Sequence, residues 1–309
     1  MCASPSAPLR RVDGLAKVKG TAVYGDDITL PGMLYGVCRF ADIPAGKIEA
    51  IDLSEALNVA GVVKIATWQD IPGTPVVGII VKDYLPIVKD EVVFHGDVVA
   101  VVAATSYEAA CEAADKIHVR YTPYEPLTDV EAALAADARR IHPERSDNIA
   151  AHHHTVKGDI AKGFAEASHV IEREYEVGFQ EHAYIEPEVV LTWLDPTDGS
   201  LIISGSIQNP HRVRSFVAKF MGCPQSQINV KRAVMGGSFG GKDDIIDHLA
   251  CRSALMTRLT GRPVKFTYTR EQSIIESCKR HPYKMKYRAG VDDNGRILAI
   301  KIDILADSG

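Results

Sequence analysis

Apolar residues recur along this chain with two periods, and the switches between them mark out its elements. Met33 to Phe40, Val62 to Thr67 and Ile117 to Tyr121 read as strands, and Val98 to Ala104 is a continuous apolar run of buried-strand length. Thr105, with Glu108 three residues on, predicts a capped helix over 106–116 whose alanines pack closely. Pro123 and Pro126 punctuate the exit. Thr128 with Glu131 predicts a short helix to about Ala136, and a polar, histidine-rich stretch runs to Val156.

A second series follows. Asp159 caps a short helix, strands are expected at 170–177, 189–193 and 200–206, and Asn209-Pro210 opens a helix that Gly222 ends. A strand at 228–235 leads through a glycine-rich loop to a helix carrying Ile245, Leu249, Ala250 and Leu255, and another strand is expected at 264–269. Tyr283 to Val291 and Arg296 to Ala306 alternate about Asp293-Asn294-Gly295, a hairpin signal. The pattern predicts an α+β chain: a mobile arm at 1–11, a domain at 12–125, a linker at 126–156, and a second domain at 157–309. That last domain ends on a strand, so it is expected to be incomplete at its C-terminus.

Composition narrows the function. The 309 residues, 46% of them hydrophobic, suffice for two domains. A net charge of −5, with no basic run interleaved with aromatics, argues against a nucleic-acid partner. The longest apolar runs are strand-sized, far below the ~20 residues of a membrane span. Six scattered cysteines form no C-x-x-C pair, which excludes an iron–sulfur or zinc framework built by this chain. With no secretory leader they predict reduced thiols and a cytoplasmic protein. His152-His153-His154 point different ways on any regular element and read as a solvated loop.

Chemistry concentrates in Met235 to Asp244, with four glycines in six residues and Phe239 between the pairs. On a strand-to-helix loop, glycine admits close approach to the main chain, and amides at the helix start favour anionic or oxo groups. Phe239 is placed to shape a pocket wall. Gly236, four residues, then Gly241-Lys242 meets all but the last letter of a phosphate loop, where Asp243 stands instead of Ser or Thr and would compete with the phosphate. Glu186 and Glu188 lie where a strand would point both to one face. From the residues alone, Gln208 is a turn or capping residue before the Asn209-Pro210 helix.

Four segments occur in order: Gln180-Glu-His-Ala-Tyr-Ile-Glu186, Ser206-Ile-Gln-Asn-Pro210, the Gly236 to Lys242 loop, and Arg280-His281-Pro282. With Arg11 to Gly20 and Phe94 to Ala100, the set resembles the molybdenum-binding subunit of the xanthine dehydrogenase and aldehyde oxidase family of molybdenum hydroxylases. The resemblance runs from about Val12 to the last residue. It implies an α/β-hammerhead domain followed by the first part of a molybdopterin-binding domain. It further implies that Gln208 hydrogen-bonds an oxo ligand of molybdenum and that Phe239 lies beside the metal as a substrate wall. The amides of Gly237, Ser238, Gly240 and Gly241 would face the cofactor, with Ser238 where glycine is commonest in the family. Asp243 and Arg280 match an acid and an arginine that bind substrate in purine-oxidising members, although aspartate is shorter than the usual glutamate. An ion pair or helix cap is the alternative for both. Glu181, His182, Tyr184 and Glu186 receive a structural place near the pocket.

The implied activity is hydroxylation of a heterocycle such as xanthine or hypoxanthine at an electrophilic carbon, with electrons leaving to 2Fe-2S and FAD partner subunits. The cofactor is molybdenum-molybdopterin, its cytosine dinucleotide form among the candidates, and a second molybdenum-domain chain is a further candidate partner. In the family the base glutamate lies beyond residue 309, so no catalytic residue is expected here and the chain alone is expected to be inactive. An aldehyde or nicotinate hydroxylase subunit, or a non-catalytic cofactor-docking subunit, is the alternative.

Overall fold

The computed structural model describes residues 11–79 and 81–308, so the arm expected at 1–11 lies outside the described residues apart from Arg11. In chain order the elements are α1 (Gly14–Val18), β1 (Leu34–Phe40), β2 (Gly46–Asp52), β3 (Val62–Ala66), β4 (Glu91–Val92), β5 (Val98–Ala104), α2 (Tyr107–Asp115) and β6 (His118–Pro123). There follow α3 (Val130–Ala133), α4 (Ile160–Ala165), β7 (His169–Val177), β8 (Val189–Leu194), β9 (Leu201–Gly205), α5 (Pro210–Phe220) and β10 (Ile228–Arg232). The last are α6 (Ile245–Thr260), β11 (Val264–Thr267), α7 (Arg270–Glu276), β12 (Tyr283–Val291) and β13 (Ile297–Ala306). No helix among the described residues is long and apolar enough to cross a membrane.

The chain gathers into two compact units. One is built from the chain up to Tyr124 together with His182–Cys278, the other from Glu125–Glu181 together with the chain from Lys279 onward. The first unit holds a seven-stranded sheet in the order β10-β9-β8-β11-β1-β5-β3. Within it β1 pairs in parallel with β11 and antiparallel with β5. Compactness therefore follows this sheet, which draws strands from both sides of residue 125. A smaller sheet, β4-β2-β6, completes the unit.

The unbroken apolar run of β5 has a physical reason: all seven residues are buried, because both faces of the strand are covered. Val101 and Ala103 join the core that includes Leu249, Ala250 and Ala254 of α6. Ala100, Val102 and Ala104 pack instead with Ala110, Ala113 and Ala114 of α2. Each valine so buried is worth about 1.5–3 kcal/mol of transfer free energy. α6 is buried from Ile245 through Thr257, polar residues included. Those residues are paired: Ser253 Oγ donates to Val264 O at 3.0 Å, and Thr257 Oγ1 to Thr192 O at 3.1 Å.

Several boundaries differ from expectation. Ser106, not Thr105, caps α2, its Oγ accepting from Ala109 N at 3.1 Å. Asp129, not Thr128, caps α3, which ends at Ala133. The strand at 228–235 stops at Arg232. The strand at 264–269 stops at Thr267, because Thr269 and Gln272 form a capping box that opens α7. Glu186 and Glu188 lie on irregular backbone, so the shared strand face expected for them does not exist.

In the second unit β12 pairs antiparallel with β13 on one side and β7 on the other. Helix α4 packs where a Cβ on Gly163 would meet Leu298 O at 2.5 Å. One face of this sheet carries charged rungs, Lys286 with Glu174 and Arg288 with Glu172. The opposite face presents Ile171, Tyr175, Ile300, Ile302 and Ile304, all exposed.

Candidate cofactor site

The glycine loop leaves β10, passes Gly236 to Gly240, makes a 3-10 turn at Gly241–Asp243 and enters α6. Its glycines are needed partly for packing. A Cβ on Gly241 would sit 2.5 Å from Tyr184 Cε1, and one on Gly236 would sit 2.6 Å from Glu186 Cβ. The segment expected to lie near the pocket is thus the platform on which the loop rests.

Beneath the loop is a buried charge pair. Lys242 Nζ donates to Glu186 Oε2 at 2.9 Å and to Ser206 Oγ at 2.7 Å, and stands 4.6 Å from the centre of the Tyr184 ring. Glu186 Oε2 also accepts from Gly236 N at 2.7 Å and Ser206 Oγ at 2.6 Å. Burial pulls the Lys242 ammonium down while Glu186 pushes it back up. This lysine points into the protein with no exposed surface, so it cannot cradle a phosphate and the phosphate-loop alternative fails. Nor is Glu188 placed as half of an acid–base pair: it accepts from the Tyr184 hydroxyl, and burial raises its carboxyl.

The loop surface is built differently. Phe239 holds a left-handed φ of 53° and is 79% exposed, so its ring projects outward from backbone that glycine would adopt more easily. Holding a bulky residue there costs on the order of 1–2 kcal/mol. The amides of Gly241, Lys242 and Asp243 are used within the loop, donating to Ser238 O, Ser238 Oγ and Gly240 O. Those of Gly237, Ser238, Phe239 and Gly240 donate to no group among the described residues. A run of main-chain donors without acceptors among the described residues suits anionic or oxo groups.

Gln208 stands against this run. Its Oε1 accepts a short hydrogen bond from the Ser238 hydroxyl, whose oxygen accepts in turn from Lys242 N at 3.2 Å. That chain fixes the amide with its oxygen toward Ser238 and leaves Nε2, which donates to no group among the described residues, as the available donor. The neutral amide, four main-chain donors and one ring are a donor set that fits the oxo ligands of a molybdenum cofactor without adding charge at the metal.

Of the residues expected to contact substrate, Asp243 and Arg280 belong to different units. Arg280 Nη2 donates to Gly178 O at 2.9 Å. Asp243 Oδ1 lies 3.2 Å from Arg212 Nη2, on the helix that Asn209 caps. Arg212 also approaches Asp244 at 3.5 Å and donates to Asp247 Oδ2 at 2.7 Å. Sequence reasoning missed Arg212. The available signal was a cation one turn after Gln208 and an acid series at 243, 244 and 247.

Comparison with known proteins fits this geometry. The profile of the aldehyde oxidase and xanthine dehydrogenase a/b hammerhead domain matches residues 19–125, and that of the molybdopterin cofactor-binding domain matches 141–309. The chain is 36% identical over 299 residues to the nicotinate dehydrogenase large molybdopterin subunit of Eubacterium barkeri, covering 97% of this chain and 69% of that one. It is 34% identical to a probable xanthine dehydrogenase subunit of Bacillus subtilis, covering 97% of this chain but 40% of that one. Among solved structures, aldehyde oxidoreductase from Desulfovibrio gigas superposes with a TM-score of 0.90 at 30% identity, over 96% of this chain and 34% of that one. The chain thus spans only part of each of these proteins. Two domain profiles in order, a fold shared almost end to end, and the loop's donor set together place the chain in the molybdenum hydroxylase family of xanthine dehydrogenase and aldehyde oxidoreductase, as a hammerhead domain followed by molybdopterin-binding sequence.

Proposed function

We propose that this chain is the part of a molybdenum hydroxylase that presents Gln208 and the 237–240 amides to the cofactor and Phe239 to the substrate. The substrate is an electron-poor heterocycle such as hypoxanthine or xanthine, and electrons pass to 2Fe-2S and FAD partners in the cytoplasm. The domains are 12–125 and 157–309, joined through 126–156. The observation that carries the reading is the Gln208–Ser238 hydrogen bond beside an outward, strained Phe239. When bound, the molybdenum centre supplies the oxygen nucleophile and accepts the electrons. The chain's own share is orientation. Gln208 Nε2 and the loop amides hold oxo groups in fixed positions, and the Phe239 ring excludes water from one side of the substrate. Gly241, whose amide is used internally, contributes by packing on Tyr184.

A nicotinate-type substrate is the second reading, favoured by the name of the 36% identical relative. Metal and pterin analysis of the enzyme containing this chain, with hydroxylation assays on hypoxanthine and nicotinate, tests both. Phe239→Ala is expected to raise KM for the true substrate about tenfold while leaving molybdenum content unchanged. Equal content and unaltered kinetics would favour a docking subunit that plays no part in turnover.

A further inference from the structure

We propose that Arg212 is a positioning residue that holds the Asp243 carboxylate at the cofactor end of α6; the kinetic part of this rests on the function proposed above. Two bridges join the start of α5 to the glycine loop. One is Gln208 to Ser238, and the other is Arg212 to the acid series at the entrance of α6. The second is asymmetric. Asp247 is 1% exposed and takes a firm bond from Nε at 2.7 Å, whereas Nη2 is buried, makes no hydrogen bond, and faces Asp243 at 3.2 Å and Asp244 at 3.5 Å. One guanidinium thus serves three carboxylates on adjacent turns. Asp247 anchors it, and the charge at Nη2 stands within ion-pair range of the two acids that retain solvent exposure. Without that cation, three clustered carboxylates would repel one another, and Asp243, the one nearest Gly240, would turn toward water. Burial holds Asp247 up at about 7, a further sign that one arginine does not fully compensate the cluster.

The experiment uses the cofactor-loaded enzyme containing this chain, with Arg212→Gln, Arg212→Lys, Asp243→Asn and the Arg212→Gln/Asp243→Asn double variant. Molybdenum content, melting temperature, and kcat and KM for hypoxanthine and nicotinate are measured. Arg212→Gln is expected to keep its molybdenum and to raise KM about tenfold with kcat little changed. Arg212→Lys is expected to recover part of that loss. The double variant should be no worse than the poorer single one, in KM and in melting temperature alike. Wild-type KM in Arg212→Gln, or losses that multiply in the double variant, would overturn the proposal. If Asp243→Asn alone leaves KM unchanged, or neither compound is oxidised, the substrate reading falls. The melting-temperature cycle then decides Arg212 separately: non-additive shifts support the link to Asp243 and additive shifts refute it.

Discussion

Arg212 and Arg252 both face carboxylates, yet only one of them has every guanidinium nitrogen hydrogen-bonded. Arg252 is completely buried and each of its nitrogens is hydrogen-bonded: Nε donates to Pro86 O at 2.6 Å, Nη1 to Tyr268 Oη at 2.7 Å and Glu276 Oε2 at 2.8 Å, and Nη2 to Glu276 Oε1 at 2.6 Å. Tyr84 adds a bond to Glu276 at 2.8 Å and stacks on His248 with ring centres 3.9 Å apart. Arg212 instead is shared among three acids and keeps a buried nitrogen without a hydrogen bond. The protonation of their partners separates the two clusters. Although burial opposes it, Arg252 with its bonds holds Glu276 well below the usual carboxylate range, while burial prevails over Arg212 and raises Asp247 to about 7. A closed network is the signature of architecture, and an open one at a loop that gathers main-chain donors without acceptors is the signature of a site.

The strongest way to break this contrast is Arg252→Met, which leaves Glu276 buried without its cation. It is expected to destabilise the chain by about 3–5 kcal/mol in denaturant unfolding, and a near-neutral result would mean that the closed network is not structural. Ser238→Ala should behave differently. Released from its hydroxyl partner, the Gln208 amide loses its fixed orientation, so kcat/KM of the assembled enzyme should fall about tenfold, while the buried Lys242 amide left without its acceptor lowers stability by about 1–3 kcal/mol.

Asp247→Asn sharpens the contrast through pH. With its carboxyl raised to about 7 from an ordinary 3.8, Asp247 binds a proton in the folded chain over a range where the unfolded chain has lost it. Its contribution to stability is therefore fully present below about 4 and is lost as pH rises toward 7. The asparagine variant should show a shallower decline of melting temperature across that window, and an unchanged slope would sink the assignment. The smallest effect belongs to Asp244→Asn. Its half-exposed carboxylate lies 3.5 Å from Arg212, and the change should alter stability by less than about 1 kcal/mol.

Local chemistry was readable from the sequence and long-range closure was not. Asn209-Pro210 opens its helix as expected, with Asn209 Oδ1 accepting from Arg212 N at 3.2 Å, and Gly222 follows that helix with a φ of 62°. The Asp293-Asn294-Gly295 hairpin forms where the alternation places it, with Asp292 Oδ1 accepting from Asn294 N and Arg296 N. Helix α7 has a visible Thr269 to Gln272 capping box, but the strand pattern before it runs on to Thr269 and masks the signal. The parallel pairing of Leu34 with Val264 has no local signal. Burial of Arg252 has none either, because a charged residue inside a helical pattern reads as solvated until its distant partner is known. At the site, the glycines, Phe239 and Gln208 could be singled out, whereas the hydroxyl that orients Gln208 and the arginine that meets Asp243 required coordinates.

The sheet of the second unit has a practical consequence. A ribbon with isoleucines along one side, with β7 and β13 as its edge strands among the described residues, offers a template onto which identical ribbons can stack. Expressed by itself, this polypeptide should become turbid on concentration, and Ile302→Lys should keep it clear without disturbing the loop.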